Sequence, residues 1–324
     1  MPRITIIGTG LIGSSIGLGL KKVGVKAEIV GHDKDQATAR QAQKIGAVDR
    51  ADWNLPSALD GAGLVIIATP LSGIRQTLEI IARDAPAGCI VTDTASVKVP
   101  VLAWATELLP DHISFVGGDP LVRRPPAAPG IAGAHADLFD GLPYCLCPAP
   151  QASEEAVRLV ADLVGGLGAR CLFLDAAEHD GLAGAFDHLA LLAAVAHMEL
   201  LMTHPARRDL GQFITHEFEQ ETRAMDRDTA ESLTLLLANR ENIARWMDEL
   251  MAQLQVWRAR LLAGDERALR ASLELLRETR ARWLSGEVEE TPDFMPRYGL
   301  GGAMKRAFLG SLFQQQETAR KRRG

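Results

Sequence analysis

Gly8-Thr9-Gly10-Leu11-Ile12-Gly13 directly follows an apolar run, Ile4 to Ile7, and opens a helix-compatible stretch. In that order Gly8 permits a tight turn, Gly10 lets backbone approach a pyrophosphate, and Gly13 allows close strand-to-helix packing. The helix amino terminus, at Leu11 and Ile12, then offers free N–H groups and a positive dipole end to phosphates. Twenty residues beyond Gly13, at the end of a second strand-like run, stands Asp33. A carboxylate there accepts adenosine ribose hydroxyls and repels a 2′-phosphate, so the order predicts a dinucleotide site favouring NAD over NADP. Neighbouring Lys34 softens that preference. Thr69-Pro70 follows the apolar run Leu64 to Ala68. It falls at the carboxyl edge of a sheet, where open α/β folds bind ligands; an ordinary turn is the other reading.

The elements that must carry this site are short β-rich runs at Ile4 to Ile7, Ala27 to Val30, Leu64 to Ala68, Ile90 to Thr92, Ser114 to Val116 and Tyr144 to Cys147, alternating with helix-compatible stretches. Such alternation predicts βαβ units on a mostly parallel sheet. A helix from Glu154 to Val164 and a short strand near Arg170 to Leu174 complete the pattern. From Glu178 to about Leu284 strand signals vanish and apolar residues recur at helical spacing. The fold class expected is an α/β Rossmann-type parallel sheet followed by an all-α domain. Its divisions are a dinucleotide-binding domain at 1–174, a helical substrate and dimerisation domain at 175–290, and a loop-rich basic tail at 291–324. Long leucine-rich helices in a second domain often bury surface against a second copy, so a homodimer is expected.

Composition excludes several classes. Forty-one acidic against 35 basic residues give a net charge of -6, which argues against a nucleic-acid partner. Four cysteines without a CxxC pair suggest neither a disulfide scaffold nor zinc, and no metal site is expected. Cys145 and Cys147 share one face of a strand and read as core. The apolar stretch 182–202 is interrupted by Asp187, His188, His197 and Glu199, which favours a buried helix over a bilayer span. The run Ile4 to Ile7 lacks the charged lead of a secretory signal, so a cytoplasmic protein without a membrane partner is expected.

With the glycine motif and Gly31-His32-Asp33 in place, the chain resembles the prephenate/arogenate dehydrogenase family. Thr92-Asp93-Thr94-Ala95-Ser96-Val97-Lys98 is similar to the family's "TD..SVK" element, and Leu138-Phe139-Asp140-Gly141 to its "LF.G" turn. Glu178-His179-Asp180 followed by His188-Leu189 resembles its "EHD…SHL" helix, and Thr222-Arg223-Ala224 its "TRIA" segment. The resemblance implies NAD-dependent oxidative decarboxylation of prephenate or a close analogue such as arogenate, in tyrosine biosynthesis. It also implies that Ser96 lies near nicotinamide and the substrate hydroxyl and that Arg223 grips a substrate carboxylate. One departure stands out: the "GGHP" catalytic histidine corresponds to Asp119 in Gly117-Gly118-Asp119-Pro120.

Asp119 can accept a proton, though a carboxylate is a weaker base than imidazole. Its other reading is a cap or turn residue before proline. Arg123 and Arg124 could offset its charge or bind a carboxylate directly. His179 and His188 are the alternative acceptors, but nine residues on a straight helix set them about 180° apart. Both face one site only if the helix begins after His179, which otherwise caps or supports. Other readings are a buried, satisfied histidine for His188, an N-cap for Ser96, a surface ion pair for Arg223 and a solvated charge for Lys98. The rival to an enzyme is a nucleotide-binding regulatory homologue that has lost turnover, motivated by Asp119. Reductases that use a helical-domain lysine are excluded, since no lysine lies between Lys98 and Lys305. Imine-reducing relatives stay open on fold analogy.

Overall fold

The computed structural model describes residues 2–122, 128 and 130–287, so Arg123, Arg124 and the tail 291–324 lie outside the described residues. Two compact units, Met1–Ala252 and Gln253–Gly324, divide the chain. The first unit begins with β1 (Arg3–Ile7), α1 (Leu11–Lys22), β2 (Glu28–His32), α2 (Gln36–Lys44), β3 (Arg50–Ala51), α3 (Leu55–Leu59) and β4 (Ala62–Ile67). It continues through α4 (Leu71–Asp84), β5 (Ile90–Asp93), α5 (Val99–Leu108), β6 (Ser114–Pro120), β7 (Pro143–Pro148), α6 (Glu154–Gly166) and β8 (Arg170–Phe173).

These strands form one 8-stranded sheet in the order β3-β2-β1-β4-β5-β6-β7-β8. Every neighbouring pair is parallel except β6 and β7. This is the Rossmann-type architecture expected, and its central strands are near-continuous apolar runs because both faces are covered. Ile4, Ile6, Leu64 and Ile66 pack with Ile16 and Leu20 of α1 and Val160 and Val164 of α6. Ile7, Val65, Ile67 and Val91 face the other way, onto Ile74, Leu78 and Ile81 of α4 and Val101 and Ala105 of α5. Cys145 and Cys147 are buried in β7, and burial pushes both thiols up to about 12, the chemistry of core residues.

After β8 the described elements are helical: α7 (Ala176–Ala183), α8 (Leu189–Thr203), α9 (Arg207–Leu210), α10 (His216–Thr222), α11 (Thr229–Ala238), α12 (Arg240–Ala263) and α13 (Glu266–Ser285). Leu191 of α8 and Leu235 of α11 join the core beneath α4 and α5, which fastens this helical segment to the sheet. Glu231 adds a polar tie, accepting from the Leu71 and Ser72 amides at the start of α4 at 2.9 and 3.5 Å. A carboxylate there complements the helix's positive end. In the second unit, α13 is capped by Asp265 and ended by Gly286 at φ +88.

Two expectations about elements change. The helix through 182–202 is buried only over its first half: Leu191 and Ala194 are covered, whereas Met198, Leu200 and Met202 are exposed. The run Ala176–Thr203 has the length and apolar character to cross a membrane, but Asp180 and His188 within it are hydrogen-bonded into the fold. Strand β6 runs on through Gly117, Gly118 and Asp119, with Asp119 paired in register to Cys145. Asp119 is thus a strand residue, not a cap or turn, because the antiparallel partner β7 holds the Asp-Pro sequence extended.

Candidate active site

The glycine turn has the dimensions of a phosphate cradle. Gly8 has φ +91, and a Cβ there would meet the Ala68 carbonyl oxygen at 2.4 Å. At Gly13 a Cβ would lie 1.9 Å from the Gly8 carbonyl oxygen, so any side chain would part α1 from β1. Around Gly10, by contrast, a Cβ would meet nothing within 4 Å, and no side chain caps α1. Open space therefore fronts the free amides at Leu11 and Ile12, as an anion requires. Asp33 stands at the carboxyl end of β2, its oxygens accepting from the Thr9 amide at 2.8 Å and the Asp35 amide at 2.9 Å. Those bonds leave acceptor capacity for a diol. Thr69, after β4, has a buried hydroxyl with no partner among the described residues, and Pro70 caps α4. A donor left orphaned at the carboxyl end of β4 fits a dinucleotide bound across these strand ends.

A buried polar chain occupies the carboxyl ends of β5 and β6. Lys98 is fully buried, with Nζ 2.5 Å from Asp93 Oδ2 and 2.6 Å from the Gly118 carbonyl oxygen. This overturns the expectation of a solvated charge. The route is opened by Gly117 and Gly118: a Cβ on Gly117 would sit 3.2 Å from Lys98 Cδ, and one on Gly118 only 2.6 Å from the Asp93 carbonyl oxygen. Asp93 also accepts from the Gly118 amide at 3.0 Å and the Ala95 amide at 2.9 Å. Helix α5 starts at Val99 with Lys98 in the cap position, so Ser96 is not an N-cap. It sits half-buried in the β5–α5 loop with its hydroxyl unpartnered among the described residues.

Asp180 links this cluster to the helical segment. Its carboxylate accepts from the Lys98 amide at 2.6 Å and the Val99 amide at 2.9 Å, stabilising the amino terminus of α5 from outside. His179 lies between two carboxylates, with Nδ1 2.9 Å from Asp180 Oδ1 and Nε2 3.1 Å from Asp119 Oδ2. The capping role considered for His179 belongs instead to Asp175, which accepts from the Glu178 amide. Burial alone would lower the histidine's pKa, but the hydrogen bonds to Asp119 and Asp180 outweigh it and hold the imidazole above its ordinary value. Burial likewise pushes Asp119 up, while His179 pulls it back toward the ionised form. Only one oxygen of Asp119 is taken. Its Oδ1 has no partner among the described residues, and the side chain keeps 9% of its surface open.

His188 joins the same chain through Asn239, whose Nδ2 donates to the Asp180 carbonyl at 2.8 Å and to His188 Nδ1 at 2.9 Å. Asn242 Nδ2 donates to Asn239 Oδ1 and fixes the amide's orientation. Burial lowers the His188 pKa, so the ring is neutral with its proton on Nε2, buried and without a hydrogen-bond partner. His188 is therefore a free donor whose acceptor nitrogen is used. A π-helical turn, Gly184–His188, connects α7 to α8. One extra residue in the turn rotates the next helix by about 100°, which removes most of the half-turn that a straight helix would put between the two histidines. Asp187 Oδ2 lies 3.8 Å from His188 Nε2 and is held by Arg227 at 3.2 Å, a pair the sequence patterns did not reveal.

The structure thus joins Asp119, His179 and His188 in one hydrogen-bonded chain with Asp180 and Asn239. Arg223 is outside it: exposed on a 3-10 turn after α10, it makes no ion pair among the described residues, which removes the surface-pair reading. The sequence reading gives no role to Asp93, Asp180, Asn239 or Arg227 and takes Lys98 as a solvated charge. The adjacent glycines at 117 and 118 were the available signal for Lys98, since paired glycines in a strand mark close approach by another group.

His179 gives the site a pH signature. Because its pKa is raised above the ordinary 6.5, its contribution to stability is full below that pH and fades as pH rises through the folded-state value. The melting-temperature difference between the wild type and His179→Gln is expected to be largest in mildly acidic buffer and to shrink on going alkaline. A difference independent of pH would mean that the ring is neutral throughout.

A profile of the prephenate dehydrogenase nucleotide-binding domain matches residues 16–173. Prephenate dehydrogenase of Bacillus subtilis (strain 168) is 31% identical over 258 residues, spanning 78% of this chain and 68% of the relative. The Lactococcus lactis prephenate dehydrogenase is also 31% identical, over 267 residues, 78% of this chain and 72% of the relative. The chain belongs to the prephenate dehydrogenase family. Its fold matches the prephenate dehydrogenase of Aquifex aeolicus crystallised with hydroxyphenyl propionate and NAD+, with a TM-score of 0.78 at 22% identity over 87% of this chain and 98% of that one. As a member of a dehydrogenase family the chain is an oxidoreductase, and its residues 16–173, from within α1 to the end of β8, match the family's nucleotide-binding domain.

Proposed function

We propose that the protein catalyses the NAD-dependent oxidative decarboxylation of prephenate or a close analogue such as arogenate, in tyrosine biosynthesis. The observation that carries this reading is the buried chain from Asp119 through His179 to Asp180, ending on the amides of α5. A site without turnover would have little use for a carboxylate held at one oxygen and open at the other. NAD, when bound along Gly8, Gly10, Leu11, Ile12, Gly13, Asp33, Thr69 and Pro70, supplies the hydride acceptor. Residues 1–174 would bind it, and residues 175–290 would hold the substrate together with Ser96 and Asp119 of the sheet.

The chain's own residues do the rest. Asp119 Oδ1 accepts the proton from the heteroatom on the ring carbon that loses hydride, and His179 fixes the carboxylate and tunes its affinity for that proton. Ser96 offers a hydroxyl beside the same atom. Arg223, with Arg123 and Arg124 outside the described residues, supplies cations for the substrate's two carboxylates. His188 donates through Nε2. Burial of Asp119, His179 and His188 strengthens the interactions made by these three.

NADH formation from purified protein, NAD and prephenate or arogenate tests the reading. NAD binding with no turnover of any cyclohexadienyl substrate would favour the regulatory homologue, the second reading that Asp119 in the histidine's position motivates. The cradle has its own test. Gly10→Ala is expected to leave stability within about 0.5 kcal/mol of wild type, because the backbone at Gly10 is extended and its surroundings open. NAD affinity, read by calorimetry, should fall about tenfold or more as the methyl occupies phosphate space. Unchanged affinity would move the dinucleotide elsewhere.

A cytoplasmic homodimer completes the proposal. Leu200, Met202, Phe213 and Ile214 are each more than half exposed, and a second copy would cover them. Light scattering that finds only monomer at micromolar concentration would count against it.

A further inference from the structure

Resting on the dehydrogenase reading above, we infer that the preferred substrate carries an amine, not a hydroxyl, on the ring carbon that gives up its hydride. In that reading the open oxygen of Asp119 takes the heteroatom's proton, and a carboxylate is matched to a cation where imidazole is matched to an alcohol. Among the five charged or titratable groups of the cluster, Lys98 pairs with Asp93, and His179 lies between Asp180 and Asp119. Asp180 is further satisfied by two amides of α5, and Asp93 by the amides of Ala95 and Gly118. The three carboxylates outnumber the two basic side chains of the cluster by one, and Asp119 Oδ1 is the carboxylate oxygen left without a partner among the described residues. A buried carboxylate oxygen so placed gains most from a cationic donor, through a charge-assisted hydrogen bond. Tyr144, the neighbour on β7, is kept neutral because burial raises its pKa, so it supplies no competing charge.

The chemistry balances with NAD as the oxidant. The substrate ammonium gives one proton to Asp119, which frees the nitrogen lone pair. Hydride leaves the same carbon for NAD with both electrons of the C–H bond, and the lone pair closes a C=N bond as an iminium. The ring carboxylate then departs as carbon dioxide. Its bonding electrons complete the aromatic ring while the C=N pair returns to nitrogen, giving an aniline, NADH, carbon dioxide and one proton. The cationic nitrogen meets the open carboxylate oxygen when the ammonium binds and gives up its proton, a contact that a carboxylate stabilises and a neutral imidazole would not. An alcohol forms no such cation before it binds, and so gains less from Asp119.

The test compares three substrates with the full chain and NAD: prephenate, arogenate, and the prephenate analogue with an amine replacing the ring hydroxyl. The ring-amine compound is expected to exceed both ring alcohols in kcat/KM by about tenfold or more. Arogenate separates the two positions of nitrogen, since its amine is on the side chain. Asp119→His should reverse the order, raising prephenate turnover and lowering that of the amine. Asp119→Asn, which keeps the shape and removes the charge, should lose the preference while keeping NAD affinity and the folded spectrum. Preference of the wild type for either ring alcohol would overturn this inference and leave the dehydrogenase reading intact. Turnover of none of the three, with NAD still bound, would overturn both.

Discussion

Replacing Lys98 by methionine is expected to destabilise the protein by about 3–5 kcal/mol, because it removes one partner of an ion pair buried on both sides. The ammonium is fully buried against an equally buried carboxylate, and methionine fills the stem's volume without the charge. Asp93 would then be an uncompensated anion in the interior, its two backbone donors retained. For a unit of this size the loss lowers the melting temperature by about 10 °C. Adding Asp93→Asn to Lys98→Met should recover much of the deficit, since removing both charges is far cheaper than removing one. Thermal melts of the two variants check this. Equal stability of Lys98→Met and wild type would mean that water reaches Asp93.

His179→Gln should lower kcat by about 10²–10⁴ while leaving NAD affinity unchanged. Glutamine retains a hydrogen bond but cannot carry the charge that lies between Asp119 and Asp180. Because His179 pulls the Asp119 pKa down against burial, its loss should also move the acid limb of the pH–rate profile to higher pH. That shift separates a residue acting through Asp119 from one that only packs, for which kcat would change without the limb moving. A kcat within about threefold of wild type would remove His179 from the mechanism.

The two variants probe neighbouring parts of one network with different readouts. Lys98 holds β5 to β6 and so sets where Asp119 stands, whereas His179 sets what Asp119 does there. The intervening Asp180 binds the start of α5, so loosening either side should be felt as changes in both stability and rate.

Local sequence was enough for seven of the eight strands, all but the two-residue edge strand β3, and for the glycine turn. Ile4 to Ile7, the glycines and Asp33 lie within one βαβ unit, where turn geometry and strand periodicity dictate structure over a few residues. The same holds for Asp119: its departure from the family histidine was visible by type alone. Its surroundings were not, because His179 is sixty positions away and Asp180 meets Lys98 across eighty-two. Lysine reads as solvated in any local window; only the paired glycines of β6 and the carboxylate of Asp93 make its burial tolerable. Nor could a helical repeat of 3.6 residues anticipate the π-turn that brings His179 and His188 into one chain, since that turn depends on Gly184 packing against Asn242 and Trp246 of α12. Hydrogen bonds between distant carboxylates and amides are set by how layers stack, and stacking is a property of the folded whole.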